Sequence, residues 1–175
     1  MLSTRGVIEP TLAEMPDGRI LCIMRGSNGG GLDPDNKIPS YRWFSVSTDG
    51  GRTWTKPAPW KYRNGETFFS PSSMSVLIPR PDGRVFWAGN ITPVNPRGNL
   101  PRNPLCLGEV DSRTLQLKKE TLLIVDDCRP EEQEVFLSHF WGYTDRIGQD
   151  IIITLPRYGS GYSGGPFVQY TVRVK

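Results

Sequence analysis

A short turn that recurs along this chain constrains its fold more than any other feature. Pro16-Asp17-Gly18-Arg19 is repeated as Pro81-Asp82-Gly83-Arg84, and a weaker third copy covers residues 145–150. The glycine of each copy lies 65 residues from the next, at positions 18, 83 and 148. Because apolar runs flank each polar turn, the pattern predicts three hairpins of half-buried strands. The chain is therefore expected to repeat one β-rich unit about three times.

The apolar runs beside these turns predict about four strands in each unit. The predicted strands cover residues 11–15, 20–24, 41–47 and 54–58 in the first unit, 73–79, 85–88, 104–110 and 120–125 in the second, and 135–143, 151–155 and 167–174 in the third. Repeated four-stranded units are typical of the blades of a β-propeller. We therefore predict an all-β fold with about three four-stranded blades, in a single domain over residues 1–175.

Composition supports this fold class and excludes several functions. Glycine (19 residues) and proline (16 residues) are abundant, as expected for a chain with many turns. The net charge is +3 and the basic residues are scattered, so no nucleic-acid partner is expected. No apolar run approaches the ~20 residues of a membrane span, and residues 1–20 contain no signal-peptide core. The sequence leaves the compartment undetermined.

Neither a metal site nor a cofactor is predicted. Cys22, Cys106 and Cys128 lack the spacing of zinc ligands, and their odd number does not make a disulfide framework. Cys22 and Cys106 lie in apolar runs, where small buried side chains are expected. The glycine-rich stretch 158–165 lacks the strand–loop–helix context of a phosphate-binding loop.

The segment Ser47-Thr48-Asp49-Gly50-Gly51-Arg52-Thr53-Trp54 has the pattern S-x-D-x-G-x-T-W. Asp49 is expected to accept hydrogen bonds from nearby backbone N–H groups, and the two glycines tolerate positive φ. Trp54 is expected to open the next strand and to cover the apolar side of the hairpin. An ordinary Asp-Gly-Gly hairpin is the alternative. The segment resembles the Asp-box, or BNR repeat, of the sialidase superfamily, which marks the blades of β-propellers.

This resemblance implies a six-bladed propeller, of which three units are half. Closed propellers carry typically about 4–8 blades, and three blades would leave two end faces and their strand edges uncovered. We therefore expect the chain either to self-associate or to be accompanied by the remainder of the propeller, unless the blade count is different.

The resemblance also implies a site for a carboxylated sugar. Members of the superfamily hold the carboxylate with three arginines and use a tyrosine nucleophile activated by a glutamate, with an aspartate as acid/base. Glu9-Pro10, the following turn and Arg25 resemble the family segment that carries this glutamate and the second arginine. Glu9 is therefore predicted to be catalytic and Arg25 to bind substrate. The alternatives are an exposed charge at a strand start for Glu9 and a structural ion pair for Arg25.

The third arginine of the family corresponds to a segment rich in proline and asparagine. Residues 99–105 resemble that segment, with Arg102 as the first candidate and Arg97 as the second. A surface charge is the alternative for either residue. The first arginine and the acid/base aspartate have no counterpart in this sequence, and in the family's order they would precede residue 1.

The nucleophile position departs from the family pattern. Its Y-S-x-L motif corresponds to the strand around Leu137-Ser138, where leucine replaces the tyrosine and cannot act as a nucleophile. Tyr143, at the far end of the same predicted strand, is the candidate in its place; Tyr158 and Tyr162 lie in or beyond the next loop. His139, the sole histidine, is predicted to face the site and bind substrate, with a structural role as the alternative.

Two functions stay open at this point. The chain is either part of a sialidase-related glycoside hydrolase or a non-catalytic propeller that binds a glycan or a protein, and a carbohydrate ligand is the expected partner. Trp43, Trp60, Trp87 and Trp141 could stack on a sugar, but Trp43, Trp87 and Trp141 lie in predicted strands and are expected in the core.

Overall fold

The computed structural model describes residues 3–4, 6–159 and 163–174, and strands dominate it. The strands are β1 (Ile8–Glu14), β2 (Ile20–Arg25), β3 (Arg42–Ser47), β4 (Ala58–Pro59), β5 (Val76–Pro79), β6 (Val85–Asn90), β7 (Leu105–Val110), β8 (Leu123–Asp126), β9 (Phe136–Leu137), β10 (Trp141–Thr144), β11 (Ile151–Tyr158) and β12 (Phe167–Val172). Two short 3-10 helices, Gly30–Leu32 and Lys119–Thr121, are the helical elements of the described part. None of its helices is long and apolar enough to cross a membrane.

The strands form three antiparallel sheets of four strands. The first sheet has the order β1-β2-β3-β4 and the second the order β5-β6-β7-β8. The third has the order β10-β11-β12, and β9 also pairs with β11. In the first two sheets the strands are neighbours in chain order, so each of these sheets is a meander. The prediction of an all-β fold is confirmed.

The first strand of the third sheet differs from its prediction as one continuous strand over residues 135–143. Leu137 pairs with Arg157, and Trp141 pairs with Thr154. Because the separation in sequence is larger by one residue between Leu137 and Trp141 than between their two partners on β11, the first strand holds one extra residue. A β-bulge takes up the extra residue, and His139 lies in it with φ 58°. Tyr143 therefore belongs to β10, beyond the bulge, and not to the strand segment that carries Leu137.

The first strand of the first sheet is bulged at the same point of the repeat. The register with β2 shifts between Ile8 and Thr11, and Glu9 lies in this bulge with φ 51°. Glu9 and His139 are 130 residues apart, which is two repeats. Positive φ is strained for residues other than glycine, and such strain is concentrated at functional sites.

The two strongest copies of the repeated turn adopt the same structure. Asp17 accepts a hydrogen bond from the backbone N–H of Arg19 at 3.1 Å, and Asp82 accepts one from that of Arg84 at 3.0 Å. Gly18 has φ 83° and the equivalent glycine has φ 82°. The predicted hairpins at these turns are confirmed.

The turn after β3 has the hydrogen bonds that its sequence predicts. Asp49 accepts one from the Thr53 hydroxyl at 2.6 Å and one from the Thr53 N–H at 2.8 Å, and these bonds lower the pKa of Asp49 to about 2. Gly50 and Gly51 have positive φ. The expectation that Trp54 opens the next strand was wrong. Trp54 lies between the turn and β4, is 40% exposed, and donates from Nε1 to the Gly51 carbonyl at 3.0 Å, so it covers the turn and starts no strand.

Two apolar cores lie between consecutive sheets. The core between the first two sheets centres on Trp60 and Trp87, which are fully buried with ring centroids 5.5 Å apart in an edge-on arrangement. The core between the second and third sheets contains aliphatic and phenylalanine side chains, among them Ile78, Phe86, Leu105, Ile151 and Ile153. Trp60 lies outside the predicted strands. It is buried because the first and second sheets pack against each other.

Two of the three free cysteines are buried, as predicted. Burial raises the pKa of Cys22, and it raises that of Cys106 to about 11, so both thiols stay protonated at neutral pH. Cys128 is partly exposed.

Candidate functional site

The first strands of the three sheets lie side by side and form the floor of a cleft. The Leu77 N–H on β5 donates to Thr11 Oγ1 on β1 at 2.9 Å, and Thr144 on β10 donates to the Pro79 carbonyl on β5 at 3.0 Å. The cleft has a volume of about 1090 Å³. Its lining includes five residues predicted for the site: Glu9, Arg25, Arg102, His139 and Tyr143.

Arg25 and Glu9 are partners within this cleft. Arg25 ends β2 and forms an ion pair through Nη2 with Glu9 Oε1, while its Nη1 donates to the carbonyl and hydroxyl of Ser72. The Arg25 side chain is mostly buried and that of Glu9 is half exposed. Arg25 Nε is buried and has no hydrogen-bond partner among the described residues. The pair therefore fixes the arginine at the cleft, and the ion pair considered as the alternative for Arg25 is present.

Arg102 also lines the cleft and is buried. Its Nη1 donates to Ser138 Oγ at 3.0 Å and its Nε to the Asn99 carbonyl at 3.2 Å. Its own carbonyl accepts the N–H of Leu137 at 2.9 Å. Arg102 is thus tied, by side chain and backbone, to the strand segment that carries Leu137 and Ser138.

Asn90, which sequence reasoning missed, joins these segments. Its fully buried Nδ2 lies 3.1 Å from the carbonyl oxygens of Arg102, Pro104 and Leu137. Its Oδ1 accepts the Ser73 hydroxyl at 2.7 Å. Because a buried amide with all its bonds made is rigid, Asn90 holds the Arg102 loop against the bulged strand. Asn90 lies 65 residues after Arg25, so the repeat itself could have indicated it.

Arg42 is a second residue that sequence reasoning missed. It opens β3 opposite Arg25, is fully buried, and donates to Ser70 Oγ at 2.8 Å and to Ser73 Oγ at 3.1 Å. Its guanidinium lies 5.7 Å from the Trp87 ring centroid. An arginine at the start of a predicted strand that contains no acidic residue was the signal available in the sequence.

Burial lowers the pKa of Arg42 to about 9, and the nearby charges of Arg25 and Arg102 act in the same direction. Glu9 opposes them, and within the described residues it is the carboxylate whose charge acts on Arg42. The Arg42 guanidinium is therefore still protonated at pH 7. Three arginines against one carboxylate leave this region with an excess of positive charge, which attracts anions.

Aromatic side chains border the cleft on its β10 side. Trp141 is 63% exposed and Tyr143 is 46% exposed, and both line the cleft. The expectation of a buried Trp141 was wrong, because it lies on the face of the third sheet that no other described sheet covers. Trp43 and Trp87 are buried, as expected.

The contacts of His139, which lines the cleft, and of Leu137 bear on the roles considered for them. His139 is exposed, and its ring packs edge-on against Tyr158 with centroids 6.0 Å apart. Leu137 is fully buried in the second core and presents no reactive group.

Arg97, the second candidate after Arg102, does not line the cleft. It is exposed and donates to the Pro34 carbonyl at 2.9 Å, across the loops that follow β2 and β6. Tyr162 lies outside the described residues. No cluster of three or more His, Cys, Asp or Glu side chains in the described part could hold a metal ion.

Comparisons with known proteins identify the fold but no sequence family. No protein-family model and no curated protein matches the sequence. The intramolecular trans-sialidase from Ruminococcus gnavus superposes with a TM-score of 0.57 at 15% identity, over 98% of this chain and 33% of that one. A leech intramolecular trans-sialidase superposes with a TM-score of 0.53 at 16% identity, over 93% of this chain and 23% of the leech chain. A protein of unknown function from Dyadobacter fermentans superposes with a TM-score of 0.53 at 20% identity, over 89% of this chain and 45% of that protein's chain.

At these identities the similarity establishes the fold alone. The chain has a propeller-like β fold of the sialidase type over nearly its whole length, and it spans about a third of the Ruminococcus gnavus chain.

Proposed function

We propose that this chain is a three-bladed part of a sialidase-like propeller and that its cleft binds an anionic glycan. The observation that carries the proposal is the excess of cations at the cleft. Arg25 and Arg102 line it and the buried Arg42 lies close enough to feel their charges, and among the described residues Glu9 is the carboxylate that opposes them.

A sugar carboxylate is the anion that this arrangement suits best. A guanidinium offers two parallel N–H donors that match the two oxygens of a carboxylate. Arg25 and Arg102 are both held in place before a ligand arrives, by Glu9 and Ser72 in one case and by Ser138 and Asn99 in the other. Such preorganisation reduces the entropy that binding costs.

Binding can be tested by isothermal titration with N-acetylneuraminic acid and, as an uncharged comparison, N-acetylmannosamine. We expect N-acetylneuraminic acid to bind and N-acetylmannosamine not to bind. The affinity for the acid should fall as the salt concentration rises. Arg25→Gln and Arg102→Gln should each weaken binding at least tenfold. Arg97→Gln is the matched control, because Arg97 does not line the cleft, and it should bind like the parent. Equal affinity for both sugars, or no binding at all, would contradict the proposal.

Glycoside hydrolysis is the second candidate function. It is favoured by the presence of Tyr143 in the same cleft as Glu9 and His139. Leu137 at the family's nucleophile position argues against it, and we expect negligible release of 4-methylumbelliferone from its sialoside by this chain alone. If turnover is observed, Tyr143→Phe should abolish it when Tyr143 is the nucleophile, while sugar binding is retained.

A further inference from the structure

The 65-residue repeat orders the side chains of the three first strands. Leu12, Leu77 and Gly142 occupy one repeat position on β1, β5 and β10. Ala13, Ile78 and Tyr143 occupy the next position. Because successive side chains of a strand point to opposite faces, the two series face opposite sides of their sheets.

The contacts between sheets show which series faces which neighbour. Ala13 on the first sheet and Leu77 on the second meet in the core between those sheets. Ile78 on the second sheet packs on Gly142 of the third, where an added Cβ would lie 2.6 Å from Ile78 Cδ1. The Ala13 series thus faces the following sheet, and the Leu12 series faces the preceding one.

The same rule assigns the two outer faces of the chain. Tyr143 lies on the face where a following sheet would pack, and Leu12, 51% exposed, lies on the face where a preceding sheet would pack. Trp141 and Phe167 share the Tyr143 face through their register with β11, and Phe167 is 72% exposed. Exposed apolar side chains grouped in this way mark interaction surfaces.

We propose that each of these faces is covered by a second copy of this chain. The Tyr143 face of one protomer packs on the Leu12 face of its partner, and the Tyr143 face of the partner packs on the Leu12 face of the first. Each contact repeats the sheet-on-sheet packing already seen twice within the chain, so one copy carries both halves of the interface. Two copies form a ring of six sheets, within the range of about 4–8 for closed propellers. Closure leaves no outer face to recruit a third copy.

The mass in solution tests this proposal, and it does so independently of any sugar. Sedimentation velocity of the parent chain should give about twice the monomer mass of 19.7 kDa. Leu12→Glu and Tyr143→Lys should each give monomers, because each places a charge in both contacts. Ile147→Glu is the control, since Ile147 is exposed in the turn between β10 and β11 and touches neither face, and it should remain dimeric.

Mixing the two variants distinguishes this contact from other modes of association. In a mixed pair one contact is unaltered, and in the other the introduced glutamate faces the introduced lysine, so an equimolar mixture should recover the dimer. A parent chain that sediments as a monomer, a dimer that survives both variants, open oligomers that grow with concentration, or a mixture that stays monomeric would each overturn the proposal.

Far-ultraviolet circular dichroism shows whether each charged variant is folded. If one of them is not, a disulfide cross-link between two copies tests the same contact. In a Cys128→Ser background, Leu12→Cys and Tyr143→Cys chains are mixed and oxidised. A disulfide-linked pair should form in the mixture in much higher yield than in either chain alone. Equal yields in all three samples would overturn the proposal.

Discussion

Arg102 donates a hydrogen bond from Nη1 to the hydroxyl of Ser138 at 3.0 Å, across 36 residues of sequence. Both groups are buried, so the bond fixes the arginine of one loop to the bulged strand that carries His139. Together with the amide of Asn90, this contact decides where the positive charge of Arg102 lies relative to the cleft.

Ser138→Ala should therefore destabilise the chain although it removes a single oxygen. We expect a loss of about 1–3 kcal/mol in the free energy of unfolding, because a buried charged donor loses an acceptor. Urea denaturation measures this. Ser112→Ala, at an exposed serine, is the control and should change stability by less than ~0.5 kcal/mol. Equal midpoints for the two variants would show that the Arg102–Ser138 bond contributes nothing.

The buried ion cluster around Arg157 should be a larger contributor to stability. Arg157 on β11 pairs with Asp126 at 2.6 Å and with Glu132, so it joins the third sheet to the end of the second. These carboxylates raise the pKa of Arg157. Arg157→Ala leaves both carboxylates without their cation, and we expect a loss of about 3–5 kcal/mol in denaturant titrations.

Arg173→Ala provides the comparison for this prediction. Arg173 is highly exposed and lies 3.9 Å from Asp150, a pair that should contribute less than ~1 kcal/mol. A stability of the Arg157 variant close to that of the Arg173 variant would contradict the assignment of the cluster as a link between sheets.

Two tryptophans should differ in their contribution because their burial differs. Trp60 is fully buried and donates to the Leu115 carbonyl at 2.7 Å, so Trp60→Ala should cost about 3–5 kcal/mol. Trp54 is 40% exposed, and Trp54→Ala should cost only about 1–2 kcal/mol. Thermal or urea unfolding of both variants checks the order. If Trp54→Ala is the more damaging change, the turn after β3 matters more than its exposure indicates.

Asp49 should make stability depend on pH in the acid range. Its pKa is lowered from 3.8 to about 2 by the Thr53 hydroxyl, the Thr53 N–H and the Ser47 hydroxyl. A carboxylate with a lowered pKa stabilises the folded state above its unfolded pKa, and this contribution is lost as pH falls through the folded pKa. The parent should therefore exceed Asp49→Asn in stability at pH 7, and the difference should shrink between about pH 4 and pH 2.

Melting temperatures measured along a pH series test this dependence. Asp35→Asn is the control, because Asp35 is exposed and paired with the exposed Lys37, and its difference from the parent should stay small throughout. A gap between parent and Asp49→Asn that does not narrow toward pH 2 would contradict the role given to the Asp49 carboxylate.

The sequence by itself determined the local structure of this protein. The turns at Gly18 and Gly83 and the carboxylate bonds of Asp49 depend on residues within a few positions of one another, so their patterns could be read directly. The 65-residue spacing and the alternation of apolar residues likewise predicted an all-β chain of repeated units.

Only the tertiary structure decided which side chains meet. Arg42 and Asn90 share the hydroxyl of Ser73, and Arg102 meets Ser138, because the three sheets pack against one another. The repeat could indicate the position of Asn90 but not these contacts. The bulges at Glu9 and His139 shift the register by one residue, which moves side chains between faces and separates Tyr143 from Leu137. Trp141 is exposed and Trp60 is buried for the same reason: burial depends on which sheet face a neighbour covers, and that is a property of the assembled fold.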